Sequence, residues 1–312
     1  MSPQEWYGCF RHSWQNLLVR EAFQHPGKYN RGVLDRIYDA LQEAGYLRPG
    51  YTIHDPFGGV GTAARRALAA GYYWQGVEIE AHHVAAARAN FKLWQEPWMR
   101  GTAVMLHGDS REDNGLETGS VDVVMGSPPY DDLLNSSGEG PGARHDSKHH
   151  RPENSRKLSS APDYGASPGN LALATSRPRK PGELPEFDRD ALLILGQCRR
   201  LLRPAGITVW VTKDYIRDGR RVPFSDRWEA LCGRAGFVCV QRVRAMLIDP
   251  PAFQLTIDGT AAPAYKQYKS QWRRDAESQG AAPIEHRDVR FFVKRTEKWQ
   301  KSTTQRILRN LK

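Results

Sequence analysis

The sequence predicts an α/β fold: one domain over residues 1–312, a mostly parallel sheet of about seven strands with helices on both faces, and a long inserted loop. Short apolar runs alternate with stretches of helical spacing, the rhythm of a sheet whose strands are joined by crossover helices. The length and the 39% apolar content suffice to bury one large core. Two stretches break the rhythm, residues 131–186 and 249–285.

Taken in order, residues 33–44 place apolar side chains at helical spacing and stop at a glycine. LRPGYTIHDPF reads as a turn entering a buried strand, residues 63–70 as a helix ending at Gly71, and YYWQGVEIE as a second strand. Residues 82–94 are helical, AVMLHGDS is a third strand, and SVDVVMGSPPY is a fourth closed by a double proline. Beyond the insertion come a helix over 189–202, the strand ITVWVTK, a helix over 226–235, and the strands FVCVQRVRAML and HRDVRFFVKR. Residues 131–186 are rich in Ser, Gly, Pro and His. A stretch of that length and composition reads as a mobile loop beside the active site. Its His145, His149 and His150 lack a fourth ligand at a recognisable spacing, so no metal is predicted.

Cys9, Cys198, Cys232 and Cys239 show neither CxxC spacing nor density, which points to reduced, buried thiols. With a mean hydropathy of −0.64 and no apolar run near the roughly 18 residues of a membrane span, no membrane partner is expected. The opening MSPQEWYGCFRHSW lacks an apolar core segment and a cleavage site, so a cytoplasmic location is the expectation. The net charge of +10 is uneven: residues 1–130 carry −2, 131–186 balance, 187–264 carry +4 and 265–312 carry +8. Such an excess suits a polyanion, and it also suits a solvated tail over 296–312. Arg217, Arg220, Arg221, Lys294, Lys298 and Lys301 are the candidate phosphate contacts.

Chemistry is concentrated at two places. In His54-Asp55-Pro56-Phe57-Gly58-Gly59-Val60-Gly61-Thr62 a buried strand becomes a helix, and the glycines permit a tight turn and close approach to a ligand. The second strand ends 23 residues after Asp55 at Glu78, where ribose-binding carboxylates of nucleotide folds sit. No GxxxxGK(S/T) follows, so a nucleoside triphosphate is unsupported. Ser127-Pro128-Pro129-Tyr130 closes the fourth strand on the same sheet edge. The Ser127 oxygen and Pro128 carbonyl can accept both protons of one exocyclic amine while Tyr130 offers a wall for a planar base. Accepting both draws the nitrogen lone pair out of conjugation, ready to attack an electrophilic methyl carbon.

In this order the motifs resemble the S-adenosylmethionine-dependent amino-methyltransferases of DNA, of cytosine-N4 and adenine-N6 type. The resemblance covers about residues 23–130 and resumes at Leu202-Arg203-Pro204-Ala205-Gly206. It implies a Rossmann-like methyltransferase fold with S-adenosylmethionine held by His25, Lys28, Asp55, Phe57, Gly58, Gly59, Gly61, Thr62, Glu78 and Asp109. His25 and Lys28 belong to His25-Pro26-Gly27-Lys28, similar to the family's motif at the methionine end of the cofactor, and Asp109 matches the acid near the adenine amine. Ser127, Pro128, Pro129 and Tyr130 match the catalytic tetrapeptide, and a Ser in first position is typical of the cytosine-N4 enzymes. The expected activity is therefore DNA methylation at cytosine N4 on a flipped-out base, in a restriction-modification context. N6 of adenine and an amino group of RNA stay open as acceptors, as does a non-catalytic nucleic-acid-binding subunit. No target-reading domain is recognisable, which leaves recognition to 131–186 and 249–285, to a homodimer or to a partner subunit. Asp249-Pro250-Pro251-Ala252 mimics the tetrapeptide but lacks the aromatic residue and follows the wrong strand.

Overall fold

The computed structural model describes residues 3–130, 164–247, 252–255, 261–264, 276–277 and 279–295. In chain order the strands are β1 (Gln4–Trp6), β2 (Thr52–Asp55), β3 (Tyr73–Glu78), β4 (Thr102–His107), β5 (Val121–Gly126), β6 (Leu202–Thr212), β7 (Tyr215–Arg217), β8 (Arg220–Val222), β9 (Phe237–Met246), β10 (Ala252–Leu255), β11 (Ala261–Ala264) and β12 (His286–Lys294). The helices are α1 (Arg31–Glu43), α2 (Ala64–Ala70), α3 (Ala81–Leu93), α4 (Glu186–Leu201) and α5 (Phe224–Arg234). Each helix and each main strand expected from the sequence is present within a few residues of its expected bounds. The histidines of the insertion, the tail over 296–312 and Asp249-Pro250-Pro251 lie outside the described residues.

One eight-stranded sheet, in the order β1-β9-β12-β6-β5-β2-β3-β4, carries the fold. The sequence suggested about seven strands; the eighth is β1, three residues long, parallel to β9 at the sheet edge. β2, β3, β4, β5 and β6 are mutually parallel, while β12 runs antiparallel to both β6 and β9. β7 with β8 and β10 with β11 form separate antiparallel pairs. This is a Rossmann-like α/β architecture. Among the described residues no helix is long and apolar enough to cross a membrane.

Strand alternation sorts the core into two layers. Val123 and Met125 of β5 and Ile207, Val209 and Val211 of β6 enter the layer that includes Val33, Ile37, Leu41 and Ala67 of α1 and α2. Val124 and Trp210 face the other way, toward Phe187, Leu195, Phe224 and Trp228 of α4 and α5. Both strands are therefore covered on two sides, as a parallel sheet requires. Local signals fix the helix ends: the Asn30 side chain accepts a hydrogen bond from the Gly32 N–H at 3.2 Å, and Gly71 closes α2 in the left-handed region at φ 80°. Cys9, Cys198 and Cys232 are buried free thiols, and Cys239 is a half-buried one.

Chain order reverses between β2 and β5, since β2 leads to β3 on one side while β5 leads to β6 on the other. At such a point the loops leaving the strands' carboxyl ends diverge and open a crevice. Packing under that crevice is tight: a Cβ on Gly126, at the end of β5, would lie 2.4 Å from Trp210 Cζ3 and 3.3 Å from Phe57 Cδ2. Gly126→Ala is expected to lower unfolding stability by about 1–3 kcal/mol through overpacking, read from denaturant titration. An unchanged midpoint would show that the Trp210 ring yields freely.

Candidate active site

A cleft of about 1190 Å³, part of it open to solvent, occupies the carboxyl edge of the sheet. It gathers His25, Lys28, Phe57, Gly58, Gly59, Thr62, Glu78 and Asp109 together with Ser127, Pro128, Pro129 and Tyr130. Asp55 and Gly61 do not line it. Arg217, Arg220 and Arg221 sit outside it on β7 and β8, and Arg221 is held by Asp214 at 2.8 Å. Lys294 ends β12 opposite Phe237, at the far edge of the sheet, and its ammonium donates to the Leu202 carbonyl. Lys298 and Lys301 lie outside the described residues.

The glycine loop is shaped by its neighbours. Gly59 and Gly61 have φ of 51° and 73°, and a Cβ on Gly61 would come 2.5 Å from the Phe91 ring. Gly58 N–H donates to the Val77 carbonyl at 2.9 Å, and Gly59 N–H to Glu78 Oε2 at 2.8 Å. Glu78 Oε1 accepts from the Glu80 N–H at 2.9 Å. Each oxygen of this carboxylate so takes one backbone donor and keeps further acceptor capacity toward the cleft. Ser110, after β4, donates to the Pro56 carbonyl at 2.6 Å and ties the next loop to the same turn.

Beneath the loop lies a polar pocket without full pairing. Asp55 is wholly buried; its Oδ1 accepts from the Phe57 N–H at 2.9 Å, whereas Oδ2 and the buried Tyr29 hydroxyl have no hydrogen-bond partner among the described residues. Burial, opposed by the Phe57 N–H, raises the Asp55 carboxyl to about 8. His25 takes the Gly27 N–H on Nδ1 at 3.1 Å, and its ring stands edge-on to His83 at 4.5 Å. Burial, with His83 and Lys28 nearby, drops the His25 imidazole well below its ordinary value and keeps it neutral. Lys28, pulled down to about 8 by burial, donates to the carbonyls of Ala22, Phe23 and His25. Its ammonium thus braces the turn before α1 while the side chain lines the cleft.

Asp109 is held by Arg111 through two guanidinium nitrogens, and Arg111 reaches on to Asp190 of α4 at 2.8 Å. The carboxylate lines the cleft in a fixed orientation. At the other end Pro128 is buried, and Ser127 is half-buried with no hydrogen-bond partner for its hydroxyl among the described residues. Tyr130 packs edge-on against Tyr215 at 5.3 Å and Phe224 at 5.1 Å. Burial raises its phenol, which stays protonated at neutral pH.

Sequence reasoning left several contributors unassigned. Glu80, two residues past Glu78, accepts from Ser167 N–H at 2.8 Å, Ser167 Oγ at 2.9 Å and Asn170 Nδ2 at 2.9 Å. Burial alone raises its carboxyl, but these donors outweigh burial and hold it below its ordinary value. Residues 164–171 are thereby fastened over the cleft, which Tyr164, Asn170 and Leu171 help to line. His83 and Arg287 line it as well. Glu80 stands in the quoted Gly76-Val77-Glu78-Ile79-Glu80 run, but its partners lie 87 and 90 residues away and leave no local signal.

The raised Asp55 carboxyl carries a pH signature. The folded protein keeps this proton up to about pH 8, whereas an ordinary carboxyl releases it near 3.8. Stability is therefore expected to fall, relative to Asp55→Asn, as pH rises from 3.8 to about 8. Melting temperatures of the two proteins across that range check this, and parallel profiles would mean the carboxyl is ionised throughout.

No protein-family model and no curated protein matches the chain. Among solved structures, a putative sarcosine dimethylglycine methyltransferase from Galdieria sulphuraria is similar at 12% identity and a TM-score of 0.48, covering 86% of each chain. A SAM-dependent methyltransferase from Methanosarcina mazei is similar at 11% identity and 0.42, covering 81% of this chain and 96% of its own. A precorrin 8w decarboxylase from Methanobacterium thermoautotrophicum reaches 9% and 0.45, over 94% of this chain and 99% of its own. At these values none of them assigns a reaction, a substrate or a cofactor to this chain.

Proposed function

We propose that the chain is an S-adenosylmethionine-dependent DNA methyltransferase acting on the exocyclic N4 amine of cytosine. The observation that carries this reading is the single cleft joining the glycine loop and Glu78 to the Ser127–Tyr130 segment. Chain order reverses beneath it, so the two halves face one another across the sheet edge.

The residues of the first half fit the cofactor. Glu78 has acceptor capacity for two ribose hydroxyls, Asp109 and Ser110 stand at the next strand end, and Asp55, whose Oδ2 has no partner among the described residues, lies buried under the loop, where a cationic ligand would favour its ionised form. Bound there, S-adenosylmethionine would supply an electrophilic methyl carbon on a sulfonium. In the second half, Ser127 Oγ and the Pro128 carbonyl accept the two amine protons and turn the nitrogen lone pair toward the first half. Tyr130, braced by Tyr215 and Phe224, forms a fixed face for a planar base.

Three features support DNA and cytosine. The positive excess lies in residues 187–312. Arg217 and Arg220 are carried on the β7–β8 pair, whose Tyr215 packs on Tyr130. Ser127 in first position is the form typical of cytosine-N4 enzymes in the family that the motifs resemble.

Incubating the purified chain with labelled S-adenosylmethionine and unmethylated genomic DNA, then digesting to nucleosides, is expected to yield N4-methylcytosine. Ser127→Ala should lower turnover by about 100-fold with cofactor affinity little changed, since its hydrogen bond strengthens as the amine rehybridises. N6-methyladenine in the digest would reassign the base. No incorporation by the folded, cofactor-binding wild type would overturn the enzymatic reading.

A further inference from the structure

Arg287 is the second residue of β12, and the reversed direction of that strand decides where it lies. Asp288 stands opposite Thr212 at the end of β6, so the start of β12 reaches the carboxyl edge of its neighbours. There Arg287 lines the cleft together with Ser127–Tyr130 and Tyr164. Its charge draws down the phenols of Tyr130 and Tyr164, both raised by burial, and both rings line the same cleft.

Its neighbours have carboxylate or hydroxyl partners, and among the described residues it has none. Asp288 accepts from Ser225 Oγ at 2.8 Å, Arg290 pairs with Asp226 at 2.7 Å and Glu229 at 2.6 Å, and Arg221 pairs with Asp214 at 2.8 Å. Arg287 has no carboxylate within ion-pair distance among the described residues, and its Nε is buried without a hydrogen-bond partner. Beneath the guanidinium lies the Phe10 ring, 5.9 Å from its centre, which offers no acceptor. The buried Nε without an acceptor is unfavourable, and an anion bound in the cleft would relieve it. Its planar fork suits two oxygens of one phosphate. Lys28, the other cation on the lining, already donates to three backbone carbonyls. A cation would oppose charge developing on an alkylated amine, so Arg287 suits substrate holding and not the transfer itself.

We propose that Arg287 binds a phosphate of the acceptor nucleotide, so that the cleft takes a nucleotide through its base and its phosphate together. This rests on the methyltransferase reading above and narrows its acceptor: an uncharged base or nucleoside is a poor ligand, and the flipped nucleotide is gripped at two points. Arg287 is a substrate-positioning residue, distinct from the groups that meet the amine.

Two arms test it in Arg287→Gln and Arg287→Lys, each compared with wild type for melting temperature and S-adenosylmethionine affinity. In the first, methylation of genomic DNA by Arg287→Gln should show a KM for DNA raised about tenfold, with kcat less affected and Arg287→Lys in between. The slope of log affinity against log salt should become shallower by about 0.9 for the lost phosphate contact. In the second, the protein saturated with S-adenosylhomocysteine is titrated with deoxycytidine 5′-monophosphate and with deoxycytidine. Wild type should favour the monophosphate by about tenfold, and Arg287→Gln should not discriminate. An Arg287→Gln enzyme with wild-type KM, salt slope and monophosphate preference overturns the inference while leaving the methyltransferase reading intact. A wild type that methylates no DNA but shows the Arg287-dependent preference overturns that reading and keeps the phosphate site. A wild type that binds the two ligands equally, or binds neither, overturns the site itself.

Discussion

The geometry of the cleft depends first on the Glu78 carboxylate. It sits at the end of β3, accepts the Gly59 N–H on one oxygen and the Glu80 N–H on the other, and so joins the loop after β2 to the turn that starts α3. Removing a carboxylate from water is unfavourable, and two backbone donors offset much of that loss while fixing its direction. Two residues on, Glu80 repeats the device over a longer range, drawing Ser167 and Asn170 onto the same edge. Segments far apart in the chain meet around one opening because two neighbouring side chains each collect several donors.

The opposite wall depends on the direction of β12. Running antiparallel between β6 and β9, it delivers His286, Arg287 and Asp288 to the edge where the parallel strands finish. Asp288 accepts from Ser225, which accepts from Thr212 at 3.0 Å, while Asp214 takes the Ser225 N–H at 3.0 Å. This buried polar network sets the start of α5 and with it Phe224, one of the two rings against Tyr130. Arg287 stays outside the network, and that isolation makes it informative.

Much of this was legible in the residues. Periodicity located the long helices and the core strands, and the spacing from Asp55 to Glu78 followed from the strand-turn-helix rhythm. What escaped depended on contacts remote in sequence. β1 is three residues long, too short for any period to show, and exists through pairing with β9 about 240 residues away. The β7–β8 pair turns at Asp218-Gly219, with φ of 51° and 69°, a turn dipeptide flanked by strands of only three residues each, too short to show a period. The surroundings of Asp55 and Lys28 were illegible for a similar reason. Burial leaves Asp55 beneath the cleft wall, and Lys28, which lines the cleft, has its ammonium engaged by the preceding turn.

The central claim is that Glu78 organises the loop and offers its remaining acceptors to the ribose of a bound cofactor. Calorimetric titration of the purified protein and of Glu78→Ala with S-adenosylmethionine tests it most directly. Binding by the wild type, weakened by about 1–3 kcal/mol in the folded variant, is the predicted result. Equal affinity in the two proteins, or no binding by either, would contradict it.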